Sequence, residues 1–271
     1  MSLSKCLVVM TLIKNRVIVC SPRSEYFRVS ELSKHNITRV PDPEKSVLQH
    51  LALTTALLES GFAVYDIPEL KDHPNSVFTQ DGSLVTPEGY IKLRMGLESR
   101  KGEDEWIAQN LESLGIKRAG SISGNGTVEG GDVILTGSIA FVGLSKRTNE
   151  EGMKQISTIL NAMNFEVRSV SVPEPFLHLG GAMSILSQET VLYCQGIFPM
   201  DFFKGFNSIE VPGDSFASGN VISLGNHGII AEKTNTAAIN VLRKKGYRIH
   251  ALDLSEFIKG TGGPSCLILP V

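Results

Sequence analysis

Five short segments set reactive or ionisable side chains among glycines and apolar runs: Asn75-Ser-Val-Phe-Thr-Gln-Asp81, Glu129-Gly-Gly-Asp132, Gly143-Leu-Ser-Lys-Arg-Thr-Asn149, His178-Leu-Gly-Gly181 and Gly262-Gly-Pro-Ser-Cys266. The residue types suit one kind of chemistry. A cysteine is a nucleophile once it is a thiolate, a histidine moves protons near neutral pH, and carboxylates hold a cation that carries several N–H donors. Each segment alone also has an ordinary reading. Cys266 fits a buried strand with Leu267-Ile268-Leu269 behind it, and a lone histidine such as His178 is more often a satisfied structural group. Acid-Gly-Gly-acid is often a turn, Asp81-Gly82 fits a hairpin, and Arg147 fits a solvated position ahead of a helix. Cys6, Cys20 and Cys194 sit inside apolar runs and read as core residues.

Elements must hold these segments in place, and the sequence marks them. Asp42-Pro43 reads as an N-cap and first-turn proline, with Val47, Leu51 and Leu58 on the core face of a helix ending near Gly61. A second helix runs from about Glu103 to Leu114. Thr148 and Glu151 have capping-box spacing, which predicts a third helix with the stripe Met153, Ile156, Leu160 and Met163. A fourth follows Thr234 with Ala238, Val241 and Leu242 inward, and a shorter one is expected over Pro199 to Lys204. Strand patterns follow at Phe62 to Ile67, Ile116 to Ser121, Phe165 to Val172, Ser208 to Val211 and Tyr247 to Leu252. Paired runs, Val133 to Thr136 with Ile139 to Leu144 and Ala182 to Leu186 with Thr190 to Cys194, precede helices. The unit is strand, strand, helix, strand, repeated five times at roughly 40 to 55 residues. The reactive segments lie at strand ends, which converge on an axis if the repeats form a ring.

Composition narrows the function classes. The chain has 271 residues, 42% hydrophobic, with 26 basic against 28 acidic residues. No Lys/Arg block is present, so nucleic acid is not an expected partner. The longest apolar stretches, Cys6 to Ile13 and Gly137 to Leu144, fall short of the ~18 to 20 residues that span a bilayer. No membrane crossing is expected, and with no recognisable secretory signal a cytoplasmic location fits. Four widely spaced cysteines argue against a disulfide framework or zinc site. With no linker or low-complexity segment, residues 1–271 read as one domain.

In combination and order, the segments resemble the guanidine-modifying enzymes: dimethylarginine dimethylaminohydrolase most closely, arginine deiminase and the amidinotransferases more distantly. The resemblance covers Asn75 to the C-terminus, takes in Gly102-Glu103 and Phe176 to Leu179, and is most distinctive at Val142-Gly-Leu-Ser-Lys-Arg-Thr-Asn149. It implies a five-bladed, pseudo-fivefold α/β propeller of ββαβ units, in agreement with the five units above. It further implies Cys266 as nucleophile, His178 as general acid/base, and Asp81 and Glu129 on the substrate guanidinium, Glu129 being counted with the catalytic group. Arg147, with Arg94 or Arg100, would bind a substrate carboxylate, and Asn75 and Asp132 join the substrate-binding set. The partner is then a small guanidino molecule, and no metal or organic cofactor is needed. Deiminases carry an acid where this chain has Gly180, which favours methylated over free arginine, whereas Asn75 is deiminase-like. Both substrates therefore stay open. So do an amidinotransferase, a non-enzymatic binding protein of the same fold, and a homo-oligomeric state.

Overall fold

The computed structural model describes residues 15–271; Cys6, the run from Cys6 to Ile13 and most of the stretch read against a secretory signal lie outside them. Short apolar runs form strands gathered into five three-stranded sheets. In one sheet β3 (Ser83–Thr86) pairs antiparallel with β4 (Gly89–Lys92), which pairs parallel with β5 (Arg118–Ser121). An antiparallel neighbour needs only a tight turn, but a parallel one needs a crossover. That crossover is α2 (Glu103–Ser113). The pattern recurs in β6 (Val133–Thr136), β7 (Ile139–Leu144) and β8 (Glu166–Ser171), crossed by α3 (Glu150–Ala162). It recurs again in β9 (Met183–Ser187), β10 (Thr190–Cys194) and β11 (Asn207–Val211). Another copy is β12 (Val221–Gly225), β13 (Gly228–Glu232) and β14 (Arg248–Leu252), crossed by α5 (Thr236–Lys244).

The remaining sheet joins distant parts of the chain. Its middle strand β1 (Arg16–Val19) runs parallel to β2 (Ala63–Asp66) through the crossover helix α1 (Pro43–Glu59). Its antiparallel partner is β15 (Leu269–Pro270), with Val17 opposite Pro270 and Ile18 opposite Leu269. The ring is thus closed by residues some 250 positions apart, and the fold is a five-bladed α/β propeller of ββαβ units. Middle strands carry the core. Every residue of β13 is buried, as are Ala140, Phe141 and Val142 of β7.

Three local expectations change. No helix forms over Pro199 to Lys204. Isolated turns close instead, with Phe202 N bonding Pro199 O and Lys204 N bonding Asp201 O, while Phe202 and Phe203 turn inward onto Phe141. Helix α3 is capped by Asn149, whose side chain accepts from Gly152 N, because the Thr148 hydroxyl is engaged elsewhere. In α1 the Asp42 cap and Pro43 stand as expected, but Val47, Leu51 and Leu58 face outward. The inward face is Leu53, Ala56 and Leu57 together with Ser46, Gln49 and His50. Two of those polar groups are satisfied: Gln49 Nε2 donates to Asp253 and Ser255, and Ser46 Oγ to Asp42 O. With apolar residues all round the helix, their spacing alone does not choose a face.

The reversal sets up a test. Leu53→Ala should destabilise the protein by ~2 to 5 kcal/mol, the range for emptying a packed core position, whereas Leu51→Ala should change stability by under ~0.5 kcal/mol. Urea unfolding of the two variants checks the order, and the opposite order would refute the assigned face.

Candidate active site

Each innermost strand is entered through one short turn of helix, and these turns meet at one end of the ring. Thr79–Gly82 leads into β3, Gly130–Asp132 into β6, α4 (Leu179–Ala182) into β9, and Pro264–Leu267 into β15. The turn before β12 ends at Asn220, whose N–H bonds Ala217 O. Four of the five segments singled out from the sequence are therefore equivalent positions of different blades. Asp81, Glu129, His178 and Cys266 stand in or just before these turns.

The third blade's turn is held almost wholly by side chains. Glu129 is fully buried and accepts from His178 Nε2 at 2.8 Å, from Arg147 Nη1 at 3.2 and 3.3 Å, and from the backbone N–H of Gly96 at 3.0 Å. Burial alone would raise its pKa, but the His178 bond, then Arg100 and Arg147, hold it well below the usual carboxylate range. Glycine is required beside it. A Cβ at Gly131 would lie 2.8 Å from the His178 ring, and one at Gly130 would lie 2.1 Å from Gln80 O.

Asp132 stands behind this layer. Its Oδ2 accepts from Ser145 and Thr148 and its Oδ1 from Leu179 N, so the carboxylate fixes the segment before α3 and the residue after His178. It does not line the cavity at the turns, and the substrate-binding place expected for it gives way to a positioning one. Arg94 is likewise not among the residues lining that cavity, and its backbone pairs with Val128 in both directions. Of the two arginines considered, the fold brings in Arg100. Its guanidinium is already saturated: Nη1 donates to Asp81 Oδ2 at 2.6 Å, Nε to Glu103 Oε2 at 2.9 Å and Nη2 to Phe78 O at 3.2 Å.

Asn75, Asp81, Arg100, Arg147, His178 and Cys266 line one small cavity, whose remaining free space is about 20 Å³. Asn36 and Thr261 close it, bonded to one another. Asn75 Nδ2 donates to His35 O, while its buried Oδ1 has no partner and remains as a free acceptor. Burial would lower the His178 pKa, but the carboxylates of Asp81, Asp132 and Glu129 raise it to about 9, so the ring is an imidazolium at neutral pH. Cys266 keeps some accessibility as a residue, yet the protein around its thiol pushes the pKa up to about 12, burial first and Asp81 second. Its resting form is the thiol. A cation bound between these groups would reverse the Asp81 effect on the sulfur and favour the thiolate.

Donor atoms of Asp81, Glu129 and His178 lie within 4.8 Å of one another, a spacing that also admits a metal ion. Two guanidinium groups already share those carboxylates, which marks the pocket for planar organic cations. Sequence reasoning missed Asn220. Its buried amide donates to Gly180 O and Ser265 Oγ and accepts from Ser265 N, locking the cysteine's turn against the blade of His178. Only its place before an inner strand hinted at this. Gly180 is not among the residues that line the cavity, and a Cβ there would lie 3.2 Å from Gly131 O.

The chain is similar to known proteins over most of its length. The family profile described as N,N dimethylarginine dimethylhydrolase, eukaryotic, matches residues 31–271. The N(G),N(G)-dimethylarginine dimethylaminohydrolase of Pseudomonas aeruginosa is 32% identical over 229 residues, covering 84% of this chain and 89% of that protein. Bacillus subtilis protein YkgA, uncharacterized, is 33% identical over 264 residues, covering 94% and 91%. A solved structure of the Pseudomonas aeruginosa enzyme, a cysteine-to-serine mutant complexed with citrulline, superimposes with a TM-score of 0.83 at 29% identity, over 95% of this chain and 99% of that one.

The resting protonation state is measurable. The 240 nm absorbance difference between the protein and its Cys266→Ser variant should stay flat from pH 6 to 9, because the thiol of the free protein ionises only near 12. A step inside that range would show a preformed thiolate.

Proposed function

The chain belongs to the N,N-dimethylarginine dimethylhydrolase family and is a guanidino-group hydrolase, and on that basis we propose that it cleaves methylated arginine to citrulline and a methylated amine through a covalent adduct on Cys266. The observation that carries this reading is the gathering of Cys266, His178, Asp81, Asn75 and Arg147 on one cavity. Together they supply a nucleophile, an acid, acceptors for a guanidinium and a cation for a carboxylate.

Binding begins with an exchange. The substrate guanidinium takes over Asp81 from Arg100, which keeps Glu103 and turns its released Nη1 toward the substrate carboxylate beside Arg147. Asn75 Oδ1 accepts one further N–H. The cation now lies against the thiol, whose proton leaves to solvent, and the thiolate attacks the central guanidinium carbon. The His178 imidazolium, oriented by Glu129, gives its proton to the departing methylated amine as the C–N bond breaks. A thiouronium remains on Cys266. Neutral His178 then takes a proton from water as that water attacks the same carbon, and collapse of the adduct breaks the C–S bond, the remaining hydroxyl proton passing to the departing sulfur, and leaves the urea of citrulline. The water supplies the urea oxygen, and His178 and Cys266 regain their starting roles.

Incubation with free, monomethyl and asymmetric dimethyl arginine should release citrulline from the methylated forms fastest, with methylamine or dimethylamine as co-product. Ammonia from free arginine as the fastest reaction would move the assignment to a deiminase, and transfer to an added amine without citrulline would make it an amidinotransferase. Cys266→Ser should abolish turnover. Mass spectrometry of the quenched natural protein should find the substrate-derived mass on the peptide that contains Cys266.

Two kinetic outcomes assign the flanking groups. Arg147→Ala should raise KM more than it lowers kcat if it binds the carboxylate in ground and transition states alike. The acid needs its proton, so kcat/KM should fall as pH rises through about 9, the value to which its neighbours raise His178. A profile flat to pH 10 would remove His178 as the acid.

A further inference from the structure

Behind the turns that carry Asp81 and Glu129 lies a second, larger cavity of about 280 Å³, which shares no lining residue with the first. It opens between the innermost strands β3, β6 and β15, with Pro87, Gly137 and Pro270 exposed at its rim. Leu84, Val133, Leu135, Phe165 and Leu269 make its walls, and no charged side chain contributes among the described residues. A dry apolar cavity of ~150 Å³ already accepts a benzene ring, so this one has room for a bicyclic molecule.

Two polar groups in it are unsatisfied. Gln80 and Ser83 both line the cavity, and their side-chain oxygens Gln80 Oε1 and Ser83 Oγ, each with under 1 Å² accessible, have no hydrogen-bond partner among the described residues. Ser83 is 1% exposed, so solvent does not relieve it. A buried acceptor without a donor is costly, and native structures rarely leave two together. An amide oxygen calls for an N–H or O–H, and a serine hydroxyl can accept one or donate in return.

We propose that this cavity is a second small-molecule site, taking a neutral, mainly apolar ligand of about bicyclic size with one hydrogen-bond donor that meets the Gln80 or Ser83 oxygen once that side chain rotates toward the cavity. The chemistry is opposite to that of the first site. Cationic guanidines are excluded for want of any counter-charge, and a hydrocarbon without a donor leaves both oxygens unsatisfied.

Indole and 1-methylindole have nearly the same ring and differ in the single N–H, so calorimetric titration of the full chain with each is the test. Indole should bind saturably, at least tenfold more tightly than 1-methylindole, and citrulline should not compete. Gln80→Leu should narrow the gap between the probes, and Leu135→Trp, which fills the cavity from a wall, should abolish indole binding while turnover of methylated arginine is kept. Absence of saturable binding, equal affinity for the two probes, displacement by citrulline, or a crystal structure grown with indole that shows only waters bridging Gln80 and Ser83 would overturn the proposal.

Discussion

The carboxylate of Glu129 has no solvent exposure, and four donors from other parts of the chain converge on it: the His178 ring, the Arg147 guanidinium and the N–H groups of Gly96 and Leu97. A lone buried carboxylate would be untenable, and the penalty of taking it out of water is offset only when partners surround it. Blade two sends two of those partners inward, and blades three and four one each. The ring's inner end is therefore organised as a charge lattice, with Asp81, Arg100 and Glu103 forming its next row. Under the proposed reaction, substrate recognition and scaffold integrity draw on the same ion pairs.

That lattice also sets the resting chemistry. Three carboxylates keep His178 protonated, while burial and the same negative charge keep Cys266 a thiol. A cysteine–histidine ion pair waiting in the free protein would need the thiol to lose its proton while His178 keeps its own. Under the proposed reaction the missing ingredient is the substrate's own positive charge. An unoccupied site then holds a weak nucleophile, protected from oxidants and stray electrophiles.

Much of this was legible before any coordinates. The hairpin strands Val133–Thr136 and Ile139–Leu144 and the strand Thr190–Cys194 fall where alternation and turn residues put them. The five-unit repeat and the meeting of Asp81, His178 and Cys266 also follow from patterns that local physics writes into sequence. The remainder depended on partners far along the chain. Thr148 and Asn149 are both good caps, and the hydroxyl's commitment to Asp132 decides between them. Polar residues on the inward face of α1 read as solvent-facing until Asp253 and Ser255 arrive. Asp132 looks like a ligand-binding acid, Asn220 like a loop amide, and Arg94 much like Arg100, because side-chain pairing across blades leaves no periodic trace.

The closure of the first blade bears on when the site comes into being. Cys266 lies three residues before β15, the strand that completes the sheet begun by β1. A ribosome has therefore exposed four inner turns, with Glu129, His178 and both arginines, well before the sulfur is made. Until residues 269 and 270 zip onto 17 and 18, the first sheet of the nascent chain lacks its third strand and β1 carries a free edge. Under the proposed reaction, the segment that covers this edge is also the one that brings the nucleophile. A polypeptide stalled or clipped short of that point would hold the charged pocket without its sulfur, so incomplete molecules would be chemically silent by construction.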